Sequence, residues 1–209
     1  MSTTPPVASD ADLPPVGELE NIDLRGTLRS TVLGIIALIA GLFLAGLWLH
    51  DELVAAGGWF VTHFGSGGVL LAFGVLDCIF LPIPHDTFLF LGLSGGLPLW
   101  KVCLAGSVGS VTGGVGGYNL ARAVANRPHF RQLLATRGRR AYLIVRKYGT
   151  WGVAIGALSP LPYTFCAWAA GALAMDFRRF FVVSLLRIPR VVFYAWLIEK
   201  SFAAAGASA

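Results

Sequence analysis

The run Asp77-Cys78-Ile79-Phe80-Leu81-Pro82-Ile83-Pro84-His85-Asp86 interrupts a hydrophobic segment that extends from Val69 to Leu93. A carboxylate near the centre of a membrane-buried helix costs about 2.5–3.5 kcal/mol on insertion scales. Two prolines so close together also free backbone groups that hydrocarbon cannot satisfy. A segment of this kind persists only if it is broken, folded back on itself, and buried against protein or a wet cavity. A second hydrophobic segment has the same break without the acids, at Ser159-Pro160-Leu161-Pro162-Tyr163. Pro82, Pro84, Pro160 and Pro162 are therefore read as the turns of two re-entrant hairpins.

Of the 209 residues, 56% are hydrophobic and 13% charged. Soluble domains carry about 25% charged residues, so the composition is that of an integral membrane protein. Cys78, Cys103 and Cys166 lie in apolar stretches and read as small buried hydrophobes. They have no metal-ligand spacing, and no metal or cofactor is expected. Eight cations (Arg122, Arg127, Arg131, Arg137, Arg139, Arg140, Arg146 and Lys147) fall in one stretch that contains no acid. In a membrane protein this reads as a cytoplasmic loop facing anionic lipid rather than a nucleic-acid site.

Residues 1–28 read as a disordered cytoplasmic tail, rich in Pro, Thr and acids near its start. Residues 29–50 read as a first transmembrane helix, too long and apolar for a signal peptide. Arg25 and Arg29 before its apolar run, Thr31 to Leu49, and Asp51-Glu52 after it place the N-terminus inside. Residues 51–66 follow as an interfacial segment, then a membrane domain over 67–201 and a tail over 202–209.

The positive-inside rule separates two topologies for the membrane domain. If 67–95 crosses fully, the basic stretch lands outside; if it dips in and returns, a span over 99–121 carries that stretch to the cytoplasm. The same reasoning makes 150–175 a second dip and 179–199 the last span, with 122–148 as the basic loop. The expected fold is an all-α integral membrane protein: an N-terminal spanning helix plus an inverted repeat of two re-entrant hairpins, each followed by a transmembrane helix. Five full spans is the rival topology.

Within the third apolar stretch, Gly109, Gly113 and Gly117 recur every four residues, as do Gly106, Ser110 and Gly114. This is a helix-packing face for close backbone approach, open to oligomer contacts as well. It lacks the ending of a phosphate loop. Asp77 and Asp86, with His85 beside the latter, are candidates for proton exchange in a wet cavity; helix capping is the plain alternative for Asp86. Arg187 and Arg190 are three apart on one helix face, with Tyr194 a turn beyond, and need anionic partners. Those partners are Asp77 or Asp86, or a lipid phosphate held bidentately. Arg178, Arg179, Trp100, Lys101, Tyr118 and Asn119 read as interfacial anchors.

These residues together resemble the DedA superfamily, also called the SNARE-associated Golgi protein or VTT-domain family. The likeness rests on the two acids nine apart around Pro82-Ile83-Pro84, the glycine-rich span ending Tyr118-Asn119-Leu120-Ala121-Arg122, and Lys147-Tyr148-Gly149. It continues through Ser159-Pro160-Leu161-Pro162-Tyr163, Ala170-Gly171 and Phe177-Arg178-Arg179-Phe180. The closing Ser184-to-Tyr194 run is similar to the YqaA-like branch. The resemblance implies two re-entrant hairpins from opposite sides and transbilayer movement of phospholipid or polyprenyl-phosphate lipids, with proton coupling in several members. Many members carry two arginines around the second proline motif, where this chain has Ala157 and Tyr163. Arg187 and Arg190, with Tyr163 and Tyr194, are the candidates for phosphate or ion-pair contacts in their place.

The expected function is a lipid flippase or scramblase of the bacterial inner membrane, with membrane lipids as partners and protons as a candidate coupled ion. A proton-coupled transporter of small ions or solutes is the alternative. The chain lacks the motifs of intramembrane lipid phosphatases, so no enzyme activity is expected.

Overall fold

The computed structural model describes Leu33 and residues 50–79, 86–158 and 163–206. Most of the expected first transmembrane helix lies outside these residues. So do the N-terminal tail, the proline turns Pro82, Pro84, Pro160 and Pro162, and His85.

Among the described residues the fold is all helix, without a strand. Helix α1 is His50–Cys78, α2 Asp86–Ser94, α3 Leu99–Val124, α4 Pro128–Thr136, α5 Arg139–Tyr148, α6 Thr150–Leu158, α7 Tyr163–Ala172, α8 Phe177–Ser184 and α9 Arg187–Gly206. By length and composition Val54–Cys78 and Phe177–Phe202 are long and apolar enough to cross a membrane. α3 is of similar length, but glycines and serines dilute its apolarity.

The two hydrophobic segments with internal proline pairs each form a helix, a break and a second helix. α1 ends at Cys78, four residues before Pro82, and α2 begins at Asp86. The pair is antiparallel, because Gly57 near the start of α1 abuts Ser94 and Gly95 at the end of α2. α1 is kinked at Gly65, whose φ of 56° suits glycine. Gly65 thus separates two helical stretches, close to the boundary between the segment expected to be interfacial and the expected first arm. α6 and α7 form the second pair, with Gly156 packed on Cys166.

α3 runs alongside both pairs. Its Gly109, Gly113 and Gly117 face Leu70, Gly74 and Asp77 of α1, while Gly114 faces Tyr163 and Gly171 backs onto the Tyr118 carbonyl. The pair α1–α2 therefore approaches from the N-terminal end of α3, and α6–α7 from its C-terminal end. The last turn of α1 (Asp77 and Cys78) and the first residue of α7 (Tyr163) both lie beside the stretch Ser110–Gly117. α8 and α9 then run back along α3, with Ser184 at Tyr163 and Val191 at Gly106. Pro189 explains the break between them: it has no N–H for the carbonyl of Leu185, so regular helix stops at Ser184 and restarts at Arg187.

Two apolar cores flank this meeting point. One contains Phe73, Leu89, Phe90, Val102, Val191 and Tyr194. The other contains Tyr118, Tyr142, Val153, Phe165, Trp168 and Phe180. Large side chains are also exposed along the helices, among them Trp100, Leu71 and Val182 at 62–63%. Apolar outer surface on this scale fits lipid rather than water.

The basic stretch 122–148, expected as a loop, is mostly helical. It holds the last turn of α3, then α4 and α5, and α5 buries Ala141, Tyr142, Leu143, Ile144 and Val145 while its arginines cluster at its ends. The apolar gain from that face outweighs the propensity of a charged stretch to remain extended. Tyr118 is also not an interfacial anchor. It is 1% exposed, stacks on Phe180 at 4.6 Å, donates its hydroxyl to the Met175 carbonyl and accepts from Arg122.

Breaking a helix inside a membrane protein leaves its last carbonyls without donors. At the end of α1 the second pair supplies them. Thr164 Oγ1 donates to Leu76 O at 3.1 Å, and Trp168 Nε1 donates to Cys78 O at 2.9 Å. Thr164→Val keeps the shape and removes one donor, so it should cost about 1 kcal/mol, the net worth of one hydrogen bond. Thermal unfolding in detergent measures this, and Trp168→Phe should add a similar loss.

Candidate functional site

The site lies where the two breaks converge on α3 and on the start of α9. Asp77 is in the last turn of α1 and 2% exposed, and Arg187 is the first residue of α9 and fully buried. Arg187 Nη2 donates to Asp77 Oδ2 at 2.5 Å, and its Nε donates to Ser110 Oγ at 2.7 Å. Ser110 in turn donates to Asp77 Oδ2. The guanidinium also lies over the Tyr163 ring, 4.6 Å from its centroid. Tyr163 donates its hydroxyl to Ser184 Oγ at 2.7 Å, and Ser184 donates to the Phe180 carbonyl at 2.9 Å.

Five helices therefore contribute to one buried polar cluster: α1, α3, α7, α8 and α9. Each placement follows from a local feature. The break after Cys78 ends α1 beside α3; the glycines at 109 and 113 let α1 come close enough for Asp77 to reach Ser110; the Pro189 break starts α9 at Arg187. A buried ion pair is tolerable because both partners are hydrogen-bonded, and removing either one strands a charge.

The second acid and second arginine lie next to the first pair. Asp86 is 8% exposed and occupies the first turn of α2, where the helix dipole favours a carboxylate. It interacts electrostatically with Arg190. The Arg190 guanidinium sits over the Tyr194 ring at 5.3 Å, and its Nη1 points at the Ala157 carbonyl 3.5 Å away. Arg187 and Arg190 thus place their guanidinium groups at Tyr163 and Ala157. Those are the positions where the sequence resemblance leads one to look for arginine.

Of the residues singled out from sequence, the structure brings together Asp77, Asp86, Arg187, Arg190, Tyr163 and Tyr194. Gly109, Gly113 and Gly117 lie on the adjoining α1–α3 interface. Sequence reasoning did not single out Ser110, Ser184, Thr164 and Trp168 as site residues. Ser110 had a signal, a hydroxyl at helical spacing inside an otherwise glycine face. Ser107 shares that face one turn earlier, and its buried Oγ finds no hydrogen-bond partner among the described residues. No group of three or more His, Cys, Asp or Glu suited to a metal occurs among the described residues.

A family model for the VTT domain matches residues 83–200, more than half of the chain. The chain belongs to the VTT-domain family. This is the domain of the DedA and SNARE-associated Golgi proteins, which are membrane-associated and transporter-like. The VTT match takes in Asp86, Tyr163, Arg187 and Arg190; Asp77 lies six residues before it. An uncharacterized protein of Methanocaldococcus jannaschii is 25% identical over 126 residues, covering 60% of this chain and 78% of its own length. No solved structure matches the chain.

Proposed function

We propose that this VTT-domain protein moves lipids across the bacterial plasma membrane, as a flippase or scramblase of phospholipid or polyprenyl-phosphate type. In this reading α1–α2 and α6–α7 are re-entrant pairs from opposite faces, with the N-terminus cytoplasmic. The observation that carries it is the convergence of both helix breaks on two acids and two arginines. Ionisable groups at this depth face a cavity or one another and mark the path of a polar cargo. A lipid headgroup is such a cargo, and the apolar outer surface beside the site suits its chains.

Asp86 and Arg190 are the groups assigned to the headgroup. The partly buried Arg190 meets the phosphate, and Asp86 meets an amine or a coupled proton. Asp77 and Arg187 pair with each other and hold the ends of the two helix pairs together. Ser107, a buried hydroxyl on the same face of α3, adds a polar contact for water or headgroup. The family's transporter-like character supports this assignment, as does the placement of Arg187 and Arg190 at Tyr163 and Ala157.

Protein reconstituted into liposomes with labelled lipids should expose headgroups to the opposite leaflet faster than protein-free liposomes. Failure with every common lipid class would overturn the reading. Asp86→Asn should lower the translocation rate by at least about tenfold, the equivalent of about 1.4 kcal/mol in a barrier.

The engagement of Arg187 Nε and Nη2 by Ser110 and Asp77, which keeps those atoms from a headgroup phosphate, favours one second reading, a proton-coupled transporter of small ions or solutes. It predicts that Asp86→Asn abolishes uptake driven by a pH gradient while lipid distribution is unchanged.

A further inference from the structure

A cleft of about 500 Å³ lies between the first turns of α6 and α8, lined by Thr150, Arg178, Arg179, Val182 and Val183. It is separate from the buried ion pair. Both arginines are exposed, and neither side chain has an ion-pair or hydrogen-bond partner among the described residues. Asp176 is the only acid between Asp86 and Glu199, and it is committed to capping α8, accepting from Arg179 N at 3.0 Å. Two guanidinium groups therefore share a concavity in which no described side chain pairs with them, the Asp176 carboxylate being turned to the backbone at the start of α8.

The other walls specify what kind of anion fits. Thr150 offers a hydroxyl at the first residue of α6, where the helix dipole favours an anion; the N–H groups of Gly152 and Val153 in the same turn already donate to the Gly149 carbonyl. Val182 and Val183 make the remaining wall apolar. Trp151, 77% exposed, is adjacent to Thr150 in the chain, and the exposed Phe177 and Phe181 flank the arginines on α8. Aromatic side chains beside arginines are the arrangement of a membrane–water interface. A free inorganic anion would use the guanidinium groups and leave the apolar wall idle; a phospholipid would use both.

We propose that this cleft docks the phosphate of an anionic phospholipid, with Arg178, Arg179 and Thr150 on the phosphate and Val182 and Val183 against the start of an acyl chain. α8 links it to the buried cluster. From Arg178 to Ser184 the helix rises about 9 Å, and Ser184 holds Tyr163 under Arg187. The cleft would thus collect headgroups on the basic side of the protein, one headgroup's reach from the site assigned to translocation. This rests on reading the chain as a bilayer protein that handles lipid, but binding and translocation can be measured apart.

The test is retention of phosphatidylglycerol by the detergent-purified full chain, read by native mass spectrometry. Arg178→Gln/Arg179→Gln should weaken retention at least about tenfold, since two charge-assisted contacts are lost. Arg137→Gln/Arg140→Gln removes the same charge from exposed positions and should change it less than about twofold. Arg178→Lys/Arg179→Lys, which keeps the charge, should fall between. Equal loss in the two glutamine pairs would overturn the site in favour of general charge attraction. Efficient displacement of the lipid by inorganic phosphate alone would overturn the lipid in favour of a free anion. Lipid retention that survives while translocation fails would sink the transport proposal and leave the cleft standing.

Discussion

Arg187→Met should destabilise the protein by about 3–5 kcal/mol, because it strands the Asp77 carboxylate in a buried position. Asp77→Leu should cost a similar amount by stranding the guanidinium. The double variant Asp77→Leu/Arg187→Met should recover most of the loss, since a buried pair exchanged for apolar side chains of similar size is often neutral. Thermal or denaturant unfolding in detergent reads all three. Additive losses in the double variant would show that the two residues do not act as a pair. The single variants should also uncouple the break of α1 from α9, because Arg187 joins Asp77 to Ser110 and rests on Tyr163.

Gly113→Val should cost about 3 kcal/mol, the upper part of the range for overpacking. Even a methyl at Gly113 would lie 2.5 Å from the Gly74 carbonyl oxygen and 3.0 Å from Asp77 Cβ. Backbone lies on both sides of that contact, so α1 and α3 must separate, and Asp77 moves away from Ser110. Gly67→Ala is the contrasting variant. Nothing lies within 4 Å of a Cβ there and the residue opens the helical stretch after the Gly65 kink, so it should be neutral or stabilise by up to about 0.5 kcal/mol. A loss at Gly113 without one at Gly67 would establish that the spacing on α3 sets the approach of α1. A Gly113→Val protein as stable as the parent would contradict it.

The sequence was most legible where physical cost is concentrated. A proline pair inside an apolar segment announces a helix break, and the described helices end at Cys78 and Leu158 and resume at Asp86 and Tyr163, on either side of the two pairs. The four-residue glycine spacing announced a close helix contact, though not which helix would fill it. Arg187 and Arg190 demanded anionic partners, but only the fold shows that Asp77, 110 residues away in the chain, meets Arg187.

Other features were hidden for identifiable reasons. The helices α4 and α5 were obscured by their arginines, although Ala141 to Val145 is an unbroken apolar run that had to be buried somewhere. Tyr118 near a span end reads as an interfacial residue, yet α8 folds back over it and the turn before α8 provides the Met175 carbonyl. Thr164 and Trp168 had no local signal at all. Their role is to donate to carbonyls that exist as orphans only because a different helix ends at Cys78.

In the proposed topology two helix pairs enter from opposite faces of the membrane and meet at the Asp77–Arg187 pair. Its most direct test is a single-cysteine accessibility scan over residues 67–95 and 150–175, in protein whose Cys78, Cys103 and Cys166 have been replaced. Water-soluble thiol reagents applied from each side should label positions around the first break from one face only and those around the second from the opposite face. Labelling of both segments from the same face, or of each from both faces along its length, would contradict it.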